Sequence, residues 1–218
     1  MRIAITGATG HLGTVLVKEL IQQGHQLKAL VHLNTKALEG LPVVSINGSV
    51  NEVKPVNELV RDTDAVIHAA ALISIDGDRR GLVREVNVSG VKNMLDAAVK
   101  WKVKKFVHVS SIHAYRQWPS SELLNEATPF VSDHASPYDA SKRDGQMLVL
   151  EYVKQGLDAV IVNPTSVVGP PDYKPSLMGQ AIIDLCNGKI PAIIPGGFDF
   201  VDVRDVSEGI IKSLQRGG

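Results

Sequence analysis

The chain has 218 residues, with 44% hydrophobic and 21% charged positions, the profile of a soluble globular domain large enough for one sizeable core. Lys plus Arg equals Asp plus Glu at 23 each, and no basic block stands out, which argues against nucleic acid or an anionic membrane as partner. No run approaches the ~20 apolar residues of a membrane helix. One cysteine, Cys186, allows no internal disulfide, and the first residues lead straight into a strand with no signal-peptide pattern. The expected compartment is therefore the reducing cytoplasm. Cys186 lies in an apolar run and is expected to be a packed core thiol.

In chain order, residues 2–6 predict a buried strand and 11–23 a helix, with Leu12, Val15, Leu16 and Leu20 at helical spacing and Gly24 ending it. Strands follow at 26–31 and 43–46, a helix at 52–61, a strand at 65–68, and a long helix over 82–100. Residues 105–109 predict a fifth strand, 138–155 a helix and 159–162 a sixth strand. Short apolar strands alternating with amphipathic helices predict an α/β fold: a doubly wound parallel sheet, with ligands at the carboxyl ends of the strands. After Pro164 the texture turns rich in Gly and Pro (Gly169-Pro170-Pro171, Pro175, Pro191, Pro195-Gly196-Gly197). That predicts residues 1–163 as a dinucleotide-binding core and 164–218 as a small, loop-rich partial substrate lobe.

Gly7, Gly10 and Gly13, in Thr6-Gly7-Ala8-Thr9-Gly10-His11-Leu12-Gly13, close the first strand and open the first helix. Such a turn suits a dinucleotide pyrophosphate: backbone approaches closely, and helix N–H groups face the anion. The spacing is G-x-x-G-x-x-G. An acid ~20 residues beyond the glycines marks NAD sites. None occurs between Leu20 and Leu38, where the polar groups are His32, Asn34, Thr35 and Lys36. NADP is therefore favoured, with NAD the alternative.

Tyr138 and Lys142 stand one helical turn apart in Ser136-Pro137-Tyr138-Asp139-Ala140-Ser141-Lys142. A phenol next to an ammonium is a candidate proton donor, since the positive charge favours the phenolate. Ser110-Ser111 follow the fifth strand, where a hydroxyl could hold a substrate oxygen. Other chemistry-bearing residues read more simply. His68 packs beside the cofactor rather than binding metal, and no metal site is expected. Asp199, Asp202, Arg204 and Asp205 look like a metal cluster, which the resemblance described below implies is instead a structural ion pair. Trp101 is structural, Arg79 and Arg80 are surface charge, and Trp118 either roofs a pocket or packs. His113 and Tyr115 either touch substrate or are ordinary loop positions.

The order of these motifs resembles the extended short-chain dehydrogenases/reductases of the epimerase/dehydratase superfamily, a Rossmann-fold family with a Ser–Tyr–Lys triad. Further matches are His68-Ala69-Ala70-Ala71, the segment from Asn87 to Met94, Phe106–Ser111, Asn163–Pro170 and Phe200–Asp205. The resemblance implies Ser111 as carbonyl anchor, with Ser110 the fallback, Tyr138 as general acid, and Lys142 as ribose ligand. It implies cofactor contacts at Gly7, Thr9, Gly10, His11, Leu12, Gly13, His32, Lys36, Val50, Ala69, Ala70, Ala71, Val109, Asn163 and Pro164, besides Tyr138 and Lys142. Asn87 is assigned either a structural role or one in a proton relay. Ser49 replaces the acid that relatives place near adenine.

Ile112-His113-Ala114 lacks the Asp-Glu pair of family dehydratases, and Asn163 and Ser166 replace the Arg and Asn of sugar-nucleotide epimerases. The late motif is most similar to the dihydroflavonol-reductase branch. Reduction of a small-molecule ketone or aldehyde is thus expected, with a sugar epimerase and a non-catalytic NADP-binding regulator as alternatives. A homodimer through the long helices is expected by analogy. Relatives usually continue ~100 residues further, so part of the substrate lobe is expected to be missing.

Overall fold

The computed structural model describes residues 1–32, 36–119, 123–173, 175–192 and 196–215; Asn34, Thr35 and Pro195 therefore lie outside the described residues. Six parallel strands form the sheet in the order β3-β2-β1-β4-β5-β6: β1 (Arg2–Thr6), β2 (Gln26–Val31), β3 (Val43–Asn47), β4 (Ala65–His68), β5 (Lys105–Val109) and β6 (Ala159–Val162). This is the doubly wound parallel sheet expected from the sequence. Strands β4 and β5 bury every residue, as strands covered on both faces must.

Alternation along each strand sorts side chains between two cores. Ile3, Ile5, Ala65, Ile67, Val107 and Val109 face α1 (His11–Gln22). Ala4, Val66 and Phe106 face α2 (Val53–Val60) and α4 (Gly90–Lys100), together with Val149 of α5 (Pro137–Lys154). The predicted helix over 82–100 is interrupted. A short α3 (Leu82–Arg84) runs into a π-helical turn at Glu85–Ser89 before α4 begins. Asn87 sits in that turn, and its amide brackets the Leu72 backbone, accepting from the N–H at 2.8 Å and donating to the C=O at 3.0 Å. It also donates to Ser141 Oγ at 3.0 Å. An inserted residue in the ladder is the geometry that turns this side chain inward, so Asn87 fastens the loop after β4 to α5.

The segment after Pro164 carries more regular structure than its Gly/Pro texture suggests. Strands β7 (Ser166–Val168) and β8 (Phe200–Asp202) pair in parallel, and helices α6 (Leu177–Cys186) and α7 (Val203–Ser213) follow β7 and β8 respectively. Helix α7 does not sit apart from the sheet: Val206, Ile210, Ile211 and Leu214 join the same buried cluster as α1 and β1. Ser207 Oγ donates to Glu19 Oε2 of α1 at 2.5 Å. The Asp202 side chain caps α7 by accepting from the Arg204 backbone N–H and also grips the Arg204 guanidinium at 2.6 and 2.8 Å, so these two residues of the late motif form an ion pair. Cys186 is exposed, contrary to the buried thiol expected. Helix α6 has no buried residue, so its apolar run never enters a core.

Candidate active site

The glycine turn is shaped by contacts that exclude a side chain. Gly7 has φ +73°, and a Cβ there would lie 2.7 Å from the Ala69 carbonyl carbon and oxygen. At Gly13 a Cβ would meet the Gly7 carbonyl oxygen at 2.0 Å. The turn therefore packs directly on the Ala69-Ala70-Ala71 loop, with the N-terminus of α1 open above it. Thr9, Gly10, His11 and Thr14 line one side of a 620 Å³ cleft, with Lys18, Lys36, Ala37, Glu39, Leu41, Asp172 and Tyr173 completing it. Free helix N–H groups at such a cleft suit a pyrophosphate, and the backbone cradle fits a dinucleotide.

The acid absent between Leu20 and Leu38 has a near neighbour, since Glu39 reaches the same cleft as Lys36. His32 is exposed at the end of β2. Val50 is buried against Gly90, and its carbonyl accepts from Asn93 Nδ2 at 2.9 Å. The His11 ring is committed within the protein. Its Nε2 donates to the Gly169 carbonyl at 2.6 Å, pinning the segment after β7 to the glycine turn.

Helix α5 begins with Ser136, whose Oγ accepts from Asp139 N–H at 3.1 Å, and with Pro137 in its first turn. A hydroxyl cap followed by proline fixes where a helix starts, and therefore where Tyr138 and Lys142 point. Ser111, the serine chosen from the resemblance, lies close enough to Tyr138 for its hydroxyl to act on the phenol. The Ser111 hydroxyl also accepts from His113 N–H at 3.2 Å. Ser110 is buried, with its Oγ unpartnered among the described residues. Burial pushes the Tyr138 phenol up to about 12, the Ser111 hydrogen bond opposes the shift, and Asp139 adds to it. The expectation that Lys142 lowers this phenol is not met here. Lys142 is buried with Nζ 3.3 Å from the Val109 carbonyl, to which it donates, and desolvation brings its pKa down to about 8.

Beneath Lys142 lies a polar row that only strand register discloses. Thr6 pairs with His68, and His68 with His108, across β1, β4 and β5. Thr6 Oγ1 accepts from Ala70 N–H at 3.1 Å and shares a hydrogen bond with His68 Nδ1 at 2.7 Å. The two imidazoles stack at 5.6 Å. Desolvation, followed by Lys142's charge, takes His68 down to about 3; desolvation first, then His68 and Lys142, takes His108 well below the usual range. Both are neutral at physiological pH. No group of three or more His, Cys, Asp or Glu suited to a metal occurs among the described residues.

Tyr115 is buried, with its hydroxyl accepting from Gln146 Nε2 at 2.7 Å. Trp118 is 75% exposed and neither packs nor roofs a cavity among the described residues. Trp101 donates to Asn57 Oδ1 at 3.0 Å, consistent with a structural part. A second cavity, of 410 Å³, opens beside Ser111 between Ile112, Tyr115, Leu123 and Leu124 on one hand and Asn163, Thr165 and Asp199 on the other. The Asn163 Oδ1 there is buried and unpartnered among the described residues. Ser111, Tyr138 and Lys142 thus lie near one another at the carboxyl end of β5.

The family model described as the NAD dependent epimerase/dehydratase family matches residues 3–218. The chain belongs to that family. The resemblance to extended short-chain dehydrogenases/reductases holds along its whole length. Sterol demethylase protein B of Methylococcus capsulatus is 34% identical over 220 residues, covering 100% of this chain and 67% of that protein. A Synechocystis protein assigned as a dihydroflavonol 4-reductase is 33% identical, covering 98% and 63% respectively. The chain thus spans about two thirds of the length of these epimerase/dehydratase relatives.

Among solved structures, gox2253 superposes with a TM-score of 0.91 at 29% identity, over 100% of this chain and 67% of that one. The Thermus thermophilus UDP-glucose 4-epimerase, solved in complex with NAD, gives 0.85 at 26%, covering 100% and 76%. These relatives include reductases, dehydratases and epimerases. Membership establishes a NAD-binding Rossmann fold of the oxidoreductase type, without deciding among these reactions. No described helix is long and apolar enough to cross a membrane.

Proposed function

We propose that this chain carries the catalytic core of a reductase acting on a small ketone or aldehyde. The observation that carries the reading is the juxtaposition of Ser111 and Tyr138 at the sheet's carboxyl edge, beside a buried lysine. Gly7, Thr9, Gly10, Leu12 and Gly13, with Ala69, Ala70, Ala71, Val109, Asn163 and Pro164, would hold a dinucleotide, which when bound would supply a hydride for the carbonyl carbon. Ser111 and Tyr138 hold the carbonyl oxygen between two hydroxyls. Tyr138, whose proton affinity is raised by burial, gives its proton to that oxygen as negative charge develops on it. Lys142, tethered at the Val109 carbonyl, would hold the cofactor ribose. The second cavity, walled by Ile112, Tyr115, Leu123 and Leu124, receives the substrate's apolar body.

NADP is the favoured cofactor, because Lys18 and Lys36 border the first cleft while no acid ends β2. Glu39 in the same cleft favours NAD as the second reading. Residues 164–218 contribute part of the substrate side, the protein works in the cytoplasm, and two copies pair through α4 and α5. Purified protein should oxidise NADPH with a panel of carbonyl compounds, and Tyr138→Phe should abolish turnover while leaving cofactor affinity nearly intact. Tightly retained NAD together with sugar-nucleotide isomerisation would instead identify an epimerase. Nucleotide binding without any turnover would identify a regulator.

A further inference from the structure

The segment that follows β7, residues 169–173, is fastened to α1 at both of its ends. At the first, the Gly169 carbonyl accepts from His11 Nε2 at 2.6 Å. At the other, the Tyr173 hydroxyl accepts from Lys18 Nζ at 2.8 Å, and the same ammonium lies 5.2 Å from the centre of the Tyr173 ring. His11 and Lys18 share one face of α1, two turns and about 10 Å apart along the helix axis. Four peptide units reach at most ~14 Å, so the segment has little slack between its two attachments. Pro170 and Pro171 fill its middle, where they fix φ and offer no N–H. Beyond α1 the segment is braced once more: Asp172 Oδ2 accepts from Ser176 N–H at 2.9 Å, at the start of α6.

Asp172 and Tyr173 line the same 620 Å³ cleft as Thr9, Gly10, His11 and Lys18, so this strap forms one wall of the space that suits a dinucleotide. Its two attachments differ in shelter. The His11 bond is partly buried, whereas Tyr173 is 67% exposed, and water competes there for the lysine. We propose that Lys18 and Tyr173 form a releasable clasp, which holds the strap 169–173 against α1 and sets the rate of nucleotide release from the cleft. The inference rests on dinucleotide binding in this cleft and is independent of the reductase reading. With the clasp open, only the His11 hydrogen bond still joins the strap to α1 among the described residues. Nucleotide exchange then requires one exposed contact to break, while helix and sheet stay in place.

The test follows NADPH fluorescence in stopped flow as excess NADP+ displaces the bound nucleotide, and repeats it with NADH and NAD+. Tyr173→Phe removes the hydroxyl and keeps both the ring and the lysine; Lys18→Met removes the ammonium. Each should raise the dissociation rate constant roughly two- to tenfold, the range for losing one hydrogen bond, with a smaller change in association. The double variant should release nucleotide no faster than Lys18→Met alone, because both substitutions break one contact. The melting temperature of the nucleotide-free protein should hold in all three, which separates the clasp from a general loosening of the fold.

Release rates unchanged in both single variants would overturn the clasp. An effect in Lys18→Met with none in Tyr173→Phe, or effects that add in the double variant, would also overturn it and make Lys18 a direct ligand of the nucleotide. Failure of the wild-type protein to bind either nucleotide refutes the dinucleotide cleft and the clasp together. Faster release in both variants of a protein that reduces no carbonyl supports the clasp and refutes the reductase.

Discussion

Strand β5 buries all five of its residues, whereas α6, twice as long, buries none of its ten. Both runs are apolar in sequence. What separates them is partnership: β5 is hydrogen-bonded to β4 and β6 and covered on both faces, while α6 touches little beyond β7 and stands on its Ser176 cap. Hydrophobicity alone thus misplaced Cys186. Helix α7 shows the opposite behaviour in the same stretch of chain, since Val203 and Ile210 are completely buried. The later segment is therefore not uniformly peripheral; one helix belongs to the sheet and the other does not.

The largest expected effect tests the catalytic edge of the better-packed region. Tyr138→Phe should lower kcat/KM by about 10²–10⁴-fold with little change in melting temperature, because the half-buried ring remains. Next comes α7. Ile210→Ala should cost about 2–5 kcal/mol in chemical denaturation, as expected for a side chain with no exposure. A loss below 1 kcal/mol would place α7 with α6 rather than with the core.

Lys142→Met should act in the opposite direction on stability. The folded pKa of about 8 lies below the ordinary lysine value of 10.5. The unfolded chain therefore binds the proton more tightly, and the penalty on the fold is fully present below about 8. It diminishes as pH rises from there toward 10.5. At neutral pH the cofactor-free Met variant should be more stable than wild type by an amount on the order of 3 kcal/mol, while losing activity. In the wild type, melting temperature should climb between those two pH values relative to the variant. The smallest effect belongs to α6: Ile183→Ala should stay within about 0.5 kcal/mol, and Cys186 should react with a thiol reagent without unfolding.

Most of the sheet was legible because its strands are short, apolar and separated by helices with regular spacing; predicted bounds agree within one or two residues. The proximity of Tyr138, Lys142 and Ser111 was legible because the first two share a helix and Ser111 follows a strand end. Long-range partnerships were not. The bond from His11 to Gly169 spans 158 residues, and the His113–Asp139 pair spans 26; neither leaves a local pattern. The stack of His68 on His108 follows only once the register of β4 against β5 is known. The π turn at Asn87 was invisible for the same reason, being set by Leu72 and Ser141. Helix α7 did carry a signal in Val203, Val206, Ile210, Ile211 and Leu214, beside the Asp202 cap, but the glycines and prolines before it obscured that spacing.

The seating of α7 against α1, locked by Ser207 on Glu19, bears on how the molecule is made. On the ribosome, the first helix emerges long before its covering partner. Leu16, Val17 and Leu20 must wait, oily and uncovered, while the chain from Gln23 to Asp202 is translated. Nascent protein should therefore engage holding chaperones until the closing helix arrives, and stalled translation products lacking it should aggregate rather than accumulate as folded intermediates.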